Sequence, residues 1–306
     1  MLLSMSPSDI SIFPGNVHLR SEYDFELLCE KRFLSAMFSE LANIMKAEFA
    51  RFHFVICSGG SGDDLEIETP AETTVVIVIS DEHARVPLGL CSRTRLVFKS
   101  YLPGEGLTKN LYSFPLGYVE STASSLEKLS AGARPIRVFF SGNLNGQREP
   151  LLRALGTPMW CPRLLPAAVV RSIHPSLDYS GAFRNSYVKF TSGFRQGLSG
   201  EDYGAMLERS KIVICPPGFY SVETFRHFEA MRAGCVVVTA PLPPLYFYEG
   251  APHMVLHSWK DLKSRINGLL GNAEALQERQ NLTLEWWRAR CSEQATARRI
   301  AAALAT

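Results

Sequence analysis

Residues 210–241, SKIVICPPGFYSVETFRHFEAMRAGCVVVTAP, decide the fold of this chain. The run Lys211–Cys215 is short and rich in β-branched side chains, which is typical of a buried strand, and Pro216-Pro217-Gly218 ends it. Gly234 ends the helix that follows, because a left-handed cap costs glycine nothing, and Cys235–Thr239 predicts a second strand. A strand, a helix and a strand in so short a segment predict a βαβ unit whose strands are parallel.

The helix between these strands is predicted to begin near Ser221, a candidate N-cap, and Val222, Phe225 and Phe228 recur along it at intervals of three. Its first turn would lie just beyond the carboxyl end of the first strand. Free backbone amides and the positive end of the helix dipole meet at such a position. The expected ligand is an anion, above all a phosphate.

Three charged residues, Glu223, Arg226 and Glu229, follow one another at intervals of three, which predicts that they share one helix face. A cation and two carboxylates beginning at a phosphate-binding helix end suit a nucleotide diphosphate. Arginine would bind phosphate, and a carboxylate would bind the ribose hydroxyls. The alternative is a solvated helix face with an intrahelical ion pair.

The composition excludes several classes of protein. The 306 residues, 46% hydrophobic and 20% charged, are typical of a soluble globular chain that folds as two domains. A net charge of +2 without a dense basic run gives no signal for a nucleic-acid partner. No stretch reaches the roughly 18 apolar residues of a membrane span, and the N-terminus lacks the features of a secretion signal. Seven scattered cysteines without metal-site spacing favour a reducing cytoplasm.

The first half of the chain predicts one long helix and several strands after an irregular start over residues 1–20. The helix is expected over 25–50, and the strands over 52–57, 74–80, 95–99 and 111–115. The Gly/Asp-rich segment 58–64 lacks the lysine of a P-loop and is interpreted as a plain loop. Residues 119–134 are polar and rich in Ser and Ala, and we interpret them as the connection between two domains.

Ionisable residues directly follow the strongest of these strands. Asp81, Glu82 and His83 stand at the end of a buried parallel strand where ligands usually bind in open α/β sheets. One of the two carboxylates could act there as a general base. The alternative is a loop that caps the next helix.

A second sheet is predicted to begin with the strand Pro135–Phe140. It ends in the small-residue turn Ser141-Gly142-Asn143, and Arg148 lies in the first turn of the helix that follows. Two strand-turn-helix units that face the same carboxyl edge indicate a ligand site more strongly than one. Further strands are expected over 187–190 and 253–257, and further helices near 164–172, over 201–209, over 259–270 and over 272–304.

Because both halves alternate strands with helices, the predicted fold class is α/β, with two Rossmann-like, doubly wound domains facing each other across a cleft. The expected N-terminal domain covers residues 1–120, and the expected C-terminal domain covers 134–271. A helical tail over 272–306 would be free to pack back on the N-terminal domain.

The segment Gly200–Thr239 resembles the exostosin-like family, within the two-Rossmann-domain (GT-B) glycosyltransferases, and the chain as a whole resembles a bacterial-type member. The residues that match the family pattern are Tyr203, Ser210, Lys211, Cys215, Pro216, Pro217, Gly218, Arg226, Glu229, Ala230, Gly234 and Cys235. The turn Ser141-Gly142-Asn143 with Arg148 is similar to the first strand-turn of the family's nucleotide-sugar domain. Ser80-Asp81-Glu82 and Val97–Tyr101 resemble parts of its acceptor domain.

The resemblance implies that the C-terminal domain binds the donor. Glu229 would bind the ribose and Arg226 the phosphates, while Gly218 and Ser221 would let the pyrophosphate approach the helix end. The other donor-binding residues that it implies are Gly142, Asn143, Arg148, Thr191, Pro217 and Glu223.

The resemblance also implies an acceptor site in the N-terminal domain. His83, Lys99 and Tyr101 would bind the acceptor, and Asp81 or Glu82 would be the catalytic base of an inverting reaction. A retaining reaction requires no such base, and the two carboxylates would then orient the acceptor. No DxD motif is present, so no metal and no other cofactor is expected, and arginines and helix dipoles would stabilise the departing diphosphate.

The expected function is transfer of a sugar from a nucleotide-sugar donor to a hydroxyl of a glycan or lipid-linked glycan, in the synthesis of polysaccharides or cell-surface glycans. The expected location is the cytoplasm, with peripheral contact to the inner face of a membrane left open. Two alternatives remain. One is a non-catalytic two-domain protein that binds a sugar or an anion, and the other is a nucleotide-sugar epimerase of the same fold.

Overall fold

A computed structural model of the protein describes residues 13–21, 28–60, 62–119, 128–156, 176–191, 193 and 196–306. Most of the predicted connection over 119–134 and the predicted helix near 164–172 lie outside these residues. The chain divides into two compact units. The first unit takes its residues from Met1–Glu120, Pro243–Glu249 and Arg288–Thr306, and the second from Ser121–Leu242 and Gly250–Trp287.

The first unit contains a sheet of five parallel strands in sequential order. They are β1 (Val17–Ser21), β2 (His53–Ser58), β3 (Thr74–Ile79), β4 (Leu96–Lys99) and β5 (Leu111–Ser113). All six side chains of β3 are buried, as expected for a central strand of a parallel sheet. The presence of β1 corrects the prediction of an irregular start. It is an edge strand, and its exposed His18 and Arg20 interrupt the apolar pattern by which strands are recognised.

Two helices of the first unit pack against each other, α1 (Lys31–Met45) and the C-terminal α8 (Glu293–Leu304). The helix α1 is shorter than the one predicted over 25–50, because it ends at Met45 and a 3-10 helix, Lys46–Arg51, follows it. The Tyr118 hydroxyl donates a hydrogen bond to Glu293 at 2.6 Å, and Arg95 donates to the carbonyl of Leu304 at 3.0 Å. The end of the chain is therefore fastened to this unit. A short helix, α2 (Leu88–Cys91), and a 3-10 turn, Ala71–Thr73, complete the unit.

Glu105 holds the segment Pro243–Glu249 within the first unit. Its carboxylate accepts hydrogen bonds from the Ser113 hydroxyl and, at 3.1 Å, from the Tyr246 N–H. It also forms an ion pair with Arg299 at 3.2 Å. The guanidinium carbon of Arg299 lies 3.4 Å from the centroid of the Tyr246 ring, a cation–π contact that joins α8 to the same segment.

The second unit contains a six-stranded sheet in the order β11-β10-β9-β6-β8-β7, parallel except for the pair β7 and β8. The strands are β6 (Ile136–Asn143), β7 (Ser176–Asp178), β8 (Tyr187–Thr191), β9 (Ser210–Cys215), β10 (Val236–Thr239) and β11 (Met254–Val255). The helices are α3 (Glu149–Leu155), α4 (Gly200–Glu208), α5 (Phe225–Arg232), α6 (Leu262–Leu270) and α7 (Ala273–Trp286). A π-helical turn, Trp287–Cys291, separates α7 from α8, so the predicted tail over 272–304 is two helices.

The strand order of the second unit reverses at β6. After β6 the chain forms β7 and β8 on one side, and then β9, β10 and β11 on the other side. In open α/β sheets such a reversal leaves a crevice at the carboxyl ends of the two strands that flank it. Those strands are β6 and β9. Their carboxyl ends carry the turns Ser141-Gly142-Asn143 and Pro216-Pro217-Gly218.

Gly117 is a position where both backbone and packing require glycine. Its φ is +71°, and a Cβ atom there would lie 2.4 Å from Cγ of Phe33 on α1. We predict that Gly117→Ala lowers the free energy of unfolding by about 2–4 kcal/mol, because it adds left-handed backbone strain and overpacks the core. Urea unfolding followed by circular dichroism measures this loss.

Gly106→Ala is the matched control. Gly106 has a φ of +72°, but among the described residues no atom would lie within 4 Å of an added Cβ. Only the backbone strain of about 1 kcal/mol is expected there. Equal losses in the two variants would contradict the contribution assigned to packing against Phe33.

Candidate functional site

The candidate site lies in the second unit, where β6 and β9 are neighbours. Phe139 of β6 pairs in register with Val213 of β9, and Asn143 pairs with Thr191 of β8 on the other side. Because parallel strands end at the same edge, the turn after β6 and the Pro-Pro-Gly turn after β9 lie together at the carboxyl edge of the sheet.

Gly142 leaves room for two arginine side chains. A Cβ atom on Gly142 would lie 2.7 Å from Nη2 of Arg226 and 3.1 Å from Nη1 of Arg148. Both guanidinium groups also lie near the ring of Phe140, with Cζ of Arg226 4.8 Å and Cζ of Arg148 5.6 Å from its centroid. A larger residue at position 142 would therefore have to displace the ends of one or both arginine side chains.

Arg148 is buried, with 6% of its surface exposed. Its Nε donates to the carbonyl of Pro217 at 2.9 Å, and its Nη1 donates to the carbonyl of Asn143, so it ties the two turns together. Burial and the neighbouring charge of Arg226 lower the pKa of Arg148 to about 9. A cation that is destabilised by burial and by a second cation is stabilised when an anion binds beside it.

The helix α5 begins at Phe225 with Thr224 as its N-cap, so the prediction of Ser221 as N-cap is wrong. Ser221 closes the preceding turn instead. Its carbonyl accepts the Gly218 N–H at 2.8 Å, and its hydroxyl accepts the Glu223 N–H at 3.1 Å. These hydrogen bonds use the groups with which Ser221 would have capped the helix.

The first turn of α5 presents hydrogen-bond donors. Within the part of the chain that the structure describes, the backbone N–H groups of Phe225 and Arg226 have no hydrogen-bond partner. Nη2 of Arg226 donates to the carbonyl of Ser141 at 2.7 Å, and its Nε is buried without a hydrogen bond. Free amides, the positive end of the helix dipole and a guanidinium together favour an anion at this position.

Two carboxylates of the segment are buried, Glu223 with 3% and Glu229 with 5% of its surface exposed. Glu223 precedes the N-cap, so only Arg226 and Glu229 share the predicted helix face. The burial of Glu229 argues against the alternative of a solvated face with an exposed ion pair.

Asn145 belongs to this edge, although the sequence analysis did not single it out. Its Nδ2 donates to the carbonyl of Gly218 at 3.3 Å, and Thr191 Oγ1 lies 3.2 Å from Asn143 Oδ1. All three polar side chains are buried. The available signal was the spacing of Asn143 and Asn145, because alternate residues of an extended chain face the same side.

The predicted donor-binding residues lie at the carboxyl ends of β6 and β8 and in the segments that follow β6 and β9, with Glu229 one turn into α5. They are Gly142, Asn143, Arg148, Thr191, Pro217, Gly218, Ser221, Glu223, Arg226 and Glu229.

Asp81, a predicted base in the first unit, belongs to a buried ion-pair network. Its Oδ2 lies 3.1 Å from Nζ of Lys99, and neither side chain is exposed. Its Oδ1 accepts hydrogen bonds from Nε and Nη2 of Arg85 at 3.1 and 2.9 Å. Burial alone would raise the pKa of Asp81, but the hydrogen bonds and charges of Arg85 and Lys99 lower it below its usual value. In this structure Asp81 is thus engaged with Lys99 and Arg85, and the charged end of Lys99 is buried against Asp81.

The remaining predicted acceptor-side residues differ in exposure. Tyr101 is 4% exposed and adopts a left-handed φ of +59°. Glu82 is half-buried and His83 is exposed, and both follow β3. Of the five predicted residues in this unit, Glu82 and His83 are thus the ones whose surfaces solvent or a ligand can reach.

Glu30, at the start of α1, is a buried carboxyl that the sequence analysis missed. It is 2% exposed and accepts a hydrogen bond from the Ser80 hydroxyl at 3.4 Å. Burial raises the pKa of Glu30 to about 7, although hydrogen bonds to its own backbone and to Ser80 oppose the rise. No local pattern marks this pair, because Glu30 and Ser80 lie far apart in sequence.

Among the described residues, no group of three His, Cys, Asp or Glu side chains is arranged to hold a metal ion. None of the helices in the described part combines the length and the apolar character that crossing a membrane requires.

No protein-family model and no curated protein matches the sequence, but several solved structures resemble the fold. HepE from Anabaena, solved in complex with UDP, is 13% identical with a TM-score of 0.51, over 94% of this chain and 99% of HepE. WaaG, a glycosyltransferase involved in lipopolysaccharide biosynthesis, is 11% identical with a TM-score of 0.47, over 93% of this chain and 98% of WaaG. TarM from S. aureus is 12% identical with a TM-score of 0.48, over 83% of this chain and 55% of TarM.

The chain therefore spans about 55% of the length of the TarM structure. At these identities the likeness concerns the fold alone. The two largely parallel sheets with their helices, together with the likeness to HepE, confirm the predicted α/β fold with two Rossmann-like domains of the GT-B type.

Asp81→Asn would remove the charge that neutralises the buried ammonium of Lys99. We predict that it lowers the free energy of unfolding by about 3 kcal/mol, because an uncompensated buried cation remains. The control Glu82→Gln alters the half-buried neighbour and is expected to change stability by less than about 0.5 kcal/mol. Urea unfolding measures both, and a similar small effect of the two substitutions would contradict the structural role of Asp81.

Glu30 gives the protein a pH-dependent stability. Its pKa rises from 4.5 to about 7 on folding, so the stability that protonated Glu30 contributes is present below about pH 4.5 and is lost as the pH rises through 7. We predict that Glu30→Gln removes this loss, and that the variant gains about 3 kcal/mol relative to the wild type between pH 4.5 and 8. Urea unfolding at a series of pH values measures the difference. A difference that stays constant with pH would refute the assignment.

Proposed function

We propose that this protein is a glycosyltransferase that moves a sugar from a nucleotide-sugar donor to a hydroxyl of a glycan or lipid-linked glycan. The observation that carries the proposal is the pair Arg148 and Arg226 beside the unpartnered amides of α5. Across the described residues, neither guanidinium forms an ion pair with a carboxylate. Two positive charges and free donors at the strand-order reversal fit the diphosphate of an activated sugar.

The reaction breaks the bond between the sugar's anomeric carbon and the diphosphate, and forms a bond from that carbon to the acceptor oxygen. Negative charge accumulates on the departing diphosphate, and donors already fixed in place stabilise such charge best. Backbone carbonyls hold both guanidinium groups before the donor arrives. We therefore propose transfer without a metal ion, so that EDTA leaves UDP affinity unchanged.

The nucleoside half of the donor is assigned to Glu229, whose carboxylate would accept hydrogen bonds from the ribose hydroxyls. The resemblance of Gly200–Thr239 to exostosin-like enzymes supports this assignment, and we propose membership of that group on the same residues. UDP is the first nucleotide to test, because HepE was solved in complex with UDP.

The acceptor is assigned to the first unit, near Glu82 and His83. In an inverting reaction a base must take the proton of the acceptor hydroxyl. Glu82, which is half-buried and follows β3, is retained for this role. A retaining reaction needs no such base. The cytoplasm remains the proposed location, since nucleotide-sugars are the proposed substrates and the cysteines are scattered.

Incubation with UDP-sugars in the absence of an acceptor separates the alternatives. Slow release of UDP and free sugar supports a transferase that uses water in place of its acceptor. Binding without any change of the donor supports a non-catalytic binding protein. A donor whose sugar has changed configuration supports an epimerase. Chromatography of the nucleotides and sugars distinguishes the three outcomes.

Arg148→Gln tests the proposed diphosphate site. We predict that it weakens UDP binding by at least about tenfold, because a charge-assisted hydrogen bond to phosphate is lost from a buried position. Isothermal titration calorimetry measures the affinity, and a thermal-shift panel of UDP, GDP, CMP and dTDP identifies the nucleotide beforehand.

Arg153→Gln is the control for this substitution. Arg153 lies on α3, about half-exposed, and pairs with Glu149. Its substitution is expected to leave the affinity unchanged. If Arg148→Gln binds UDP as tightly as the wild type does, the proposed diphosphate site is refuted.

A further inference from the structure

His227 occupies the third position of α5 and is completely buried. Its Nδ1 lies 3.2 Å from the backbone nitrogen of Thr224, the N-cap residue, and 3.1 Å from both the carbonyl oxygen and the hydroxyl oxygen of that residue. In the tautomer that accepts the Thr224 N–H, as in a capping box, the ring proton is on Nε2, which then donates to Thr239 Oγ1 at 2.8 Å. The Thr239 hydroxyl in turn donates to the carbonyl of Ala240 at 3.0 Å.

This chain of hydrogen bonds joins the start of α5 to the carboxyl end of β10. The N-cap it holds also limits the preceding turn, because the methyl group of Thr224 would lie 3.4 Å from a Cβ atom on Gly218. When His227 accepts the Thr224 N–H, the next two amides, those of Phe225 and Arg226, are the first donors of the helix that have no hydrogen-bond partner among the described residues.

We propose that His227 is a positioning residue for the diphosphate site, fixing the first turn of α5 so that its free amides and Arg226 meet the departing phosphates. The inference rests on the proposed function. It goes further, because it assigns the geometry of the site to a residue that contacts neither donor nor acceptor.

The neutral form of His227 is the one that this role requires. Burial, together with the neighbouring His253 and Arg226, lowers the pKa of His227 to about 3, although a backbone hydrogen bond to Thr224 opposes the shift. The imidazole therefore keeps one donor and one acceptor at neutral pH. An apolar residue of similar size would fill the same space, but the hydrogen bonds to Thr224 and Thr239 would both be lost.

His253 offers a matched control at the other end of the same helix. It is 8% exposed, its Nε2 lies 3.3 Å from Sδ of Met231 in the last turn of α5, and burial lowers its pKa to about 4. His227→Leu and His253→Leu thus each remove a buried neutral imidazole that contacts α5. They differ in which end of the helix loses its support.

The experiment compares UDP binding by calorimetry in the wild type and four variants. We expect His227→Leu to weaken binding about tenfold and His253→Leu to change it by less than about twofold, at similar losses of thermal stability. His227→Gln is expected to recover part of the affinity, because glutamine at this position can accept the N-cap N–H in a capping box. Thr239→Val, which leaves the imidazole in place and removes its second partner, is expected to weaken binding as well.

Wild-type affinity in His227→Leu overturns the inference, as do equal losses of affinity in His227→Leu and His253→Leu. If His227→Leu does not fold, His227→Gln and Thr239→Val serve as the test, and wild-type affinity in both overturns the inference. Failure of the wild type itself to bind UDP, GDP, CMP or dTDP refutes the proposed function, and the inference with it. By contrast, if the wild type binds UDP and the His227 substitutions leave its affinity unchanged, the inference alone is refuted.

Discussion

The site depends on the close approach of two guanidinium groups, those of Arg148 and Arg226, around Gly142 and Phe140. Like charges repel most strongly where water is scarce, and burial, followed by the neighbouring charge of Arg226, lowers the pKa of Arg148. The protein tolerates this repulsion because carbonyls at the ends of β6 and β9 accept hydrogen bonds from both groups. An anion bound beside the two groups would relieve the repulsion that remains.

The order of the strands decides where this arrangement can form. In the second unit the order reverses at β6, and the turns after β6 and β9 meet. In the first unit the five strands follow one another in sequence, without a reversal among them. Ionisable residues follow strands in both units. In the first, Asp81 and Lys99 turn inward and pair with each other, whereas in the second Arg148 and Arg226 have no carboxylate of the described residues paired to them.

The parts of the site predictable from sequence are those that short-range signals encode. The strand β9, its proline-glycine stop and the helix α5 follow one another within a few residues, so their neighbourhood at one sheet edge could be inferred. Thr224 was not recognised as the N-cap, because the hydrogen bonds of the preceding turn decide which residue is free to cap. The pairing of Asp81 with Lys99 depends on the register of neighbouring strands. The edge strand β1 was missed because its solvent-facing side chains are polar.

The first unit is discontinuous, since Pro243–Glu249 and Arg288–Thr306 belong to it with the N-terminal third of the chain. A fragment ending near residue 120 would lack α8, the helix that packs against α1. Neither unit is therefore one continuous segment of the chain that could be transferred with a single pair of boundaries. A chimaera that exchanges the first unit between related chains would have to carry all three pieces, and recombination during evolution faces the same restriction.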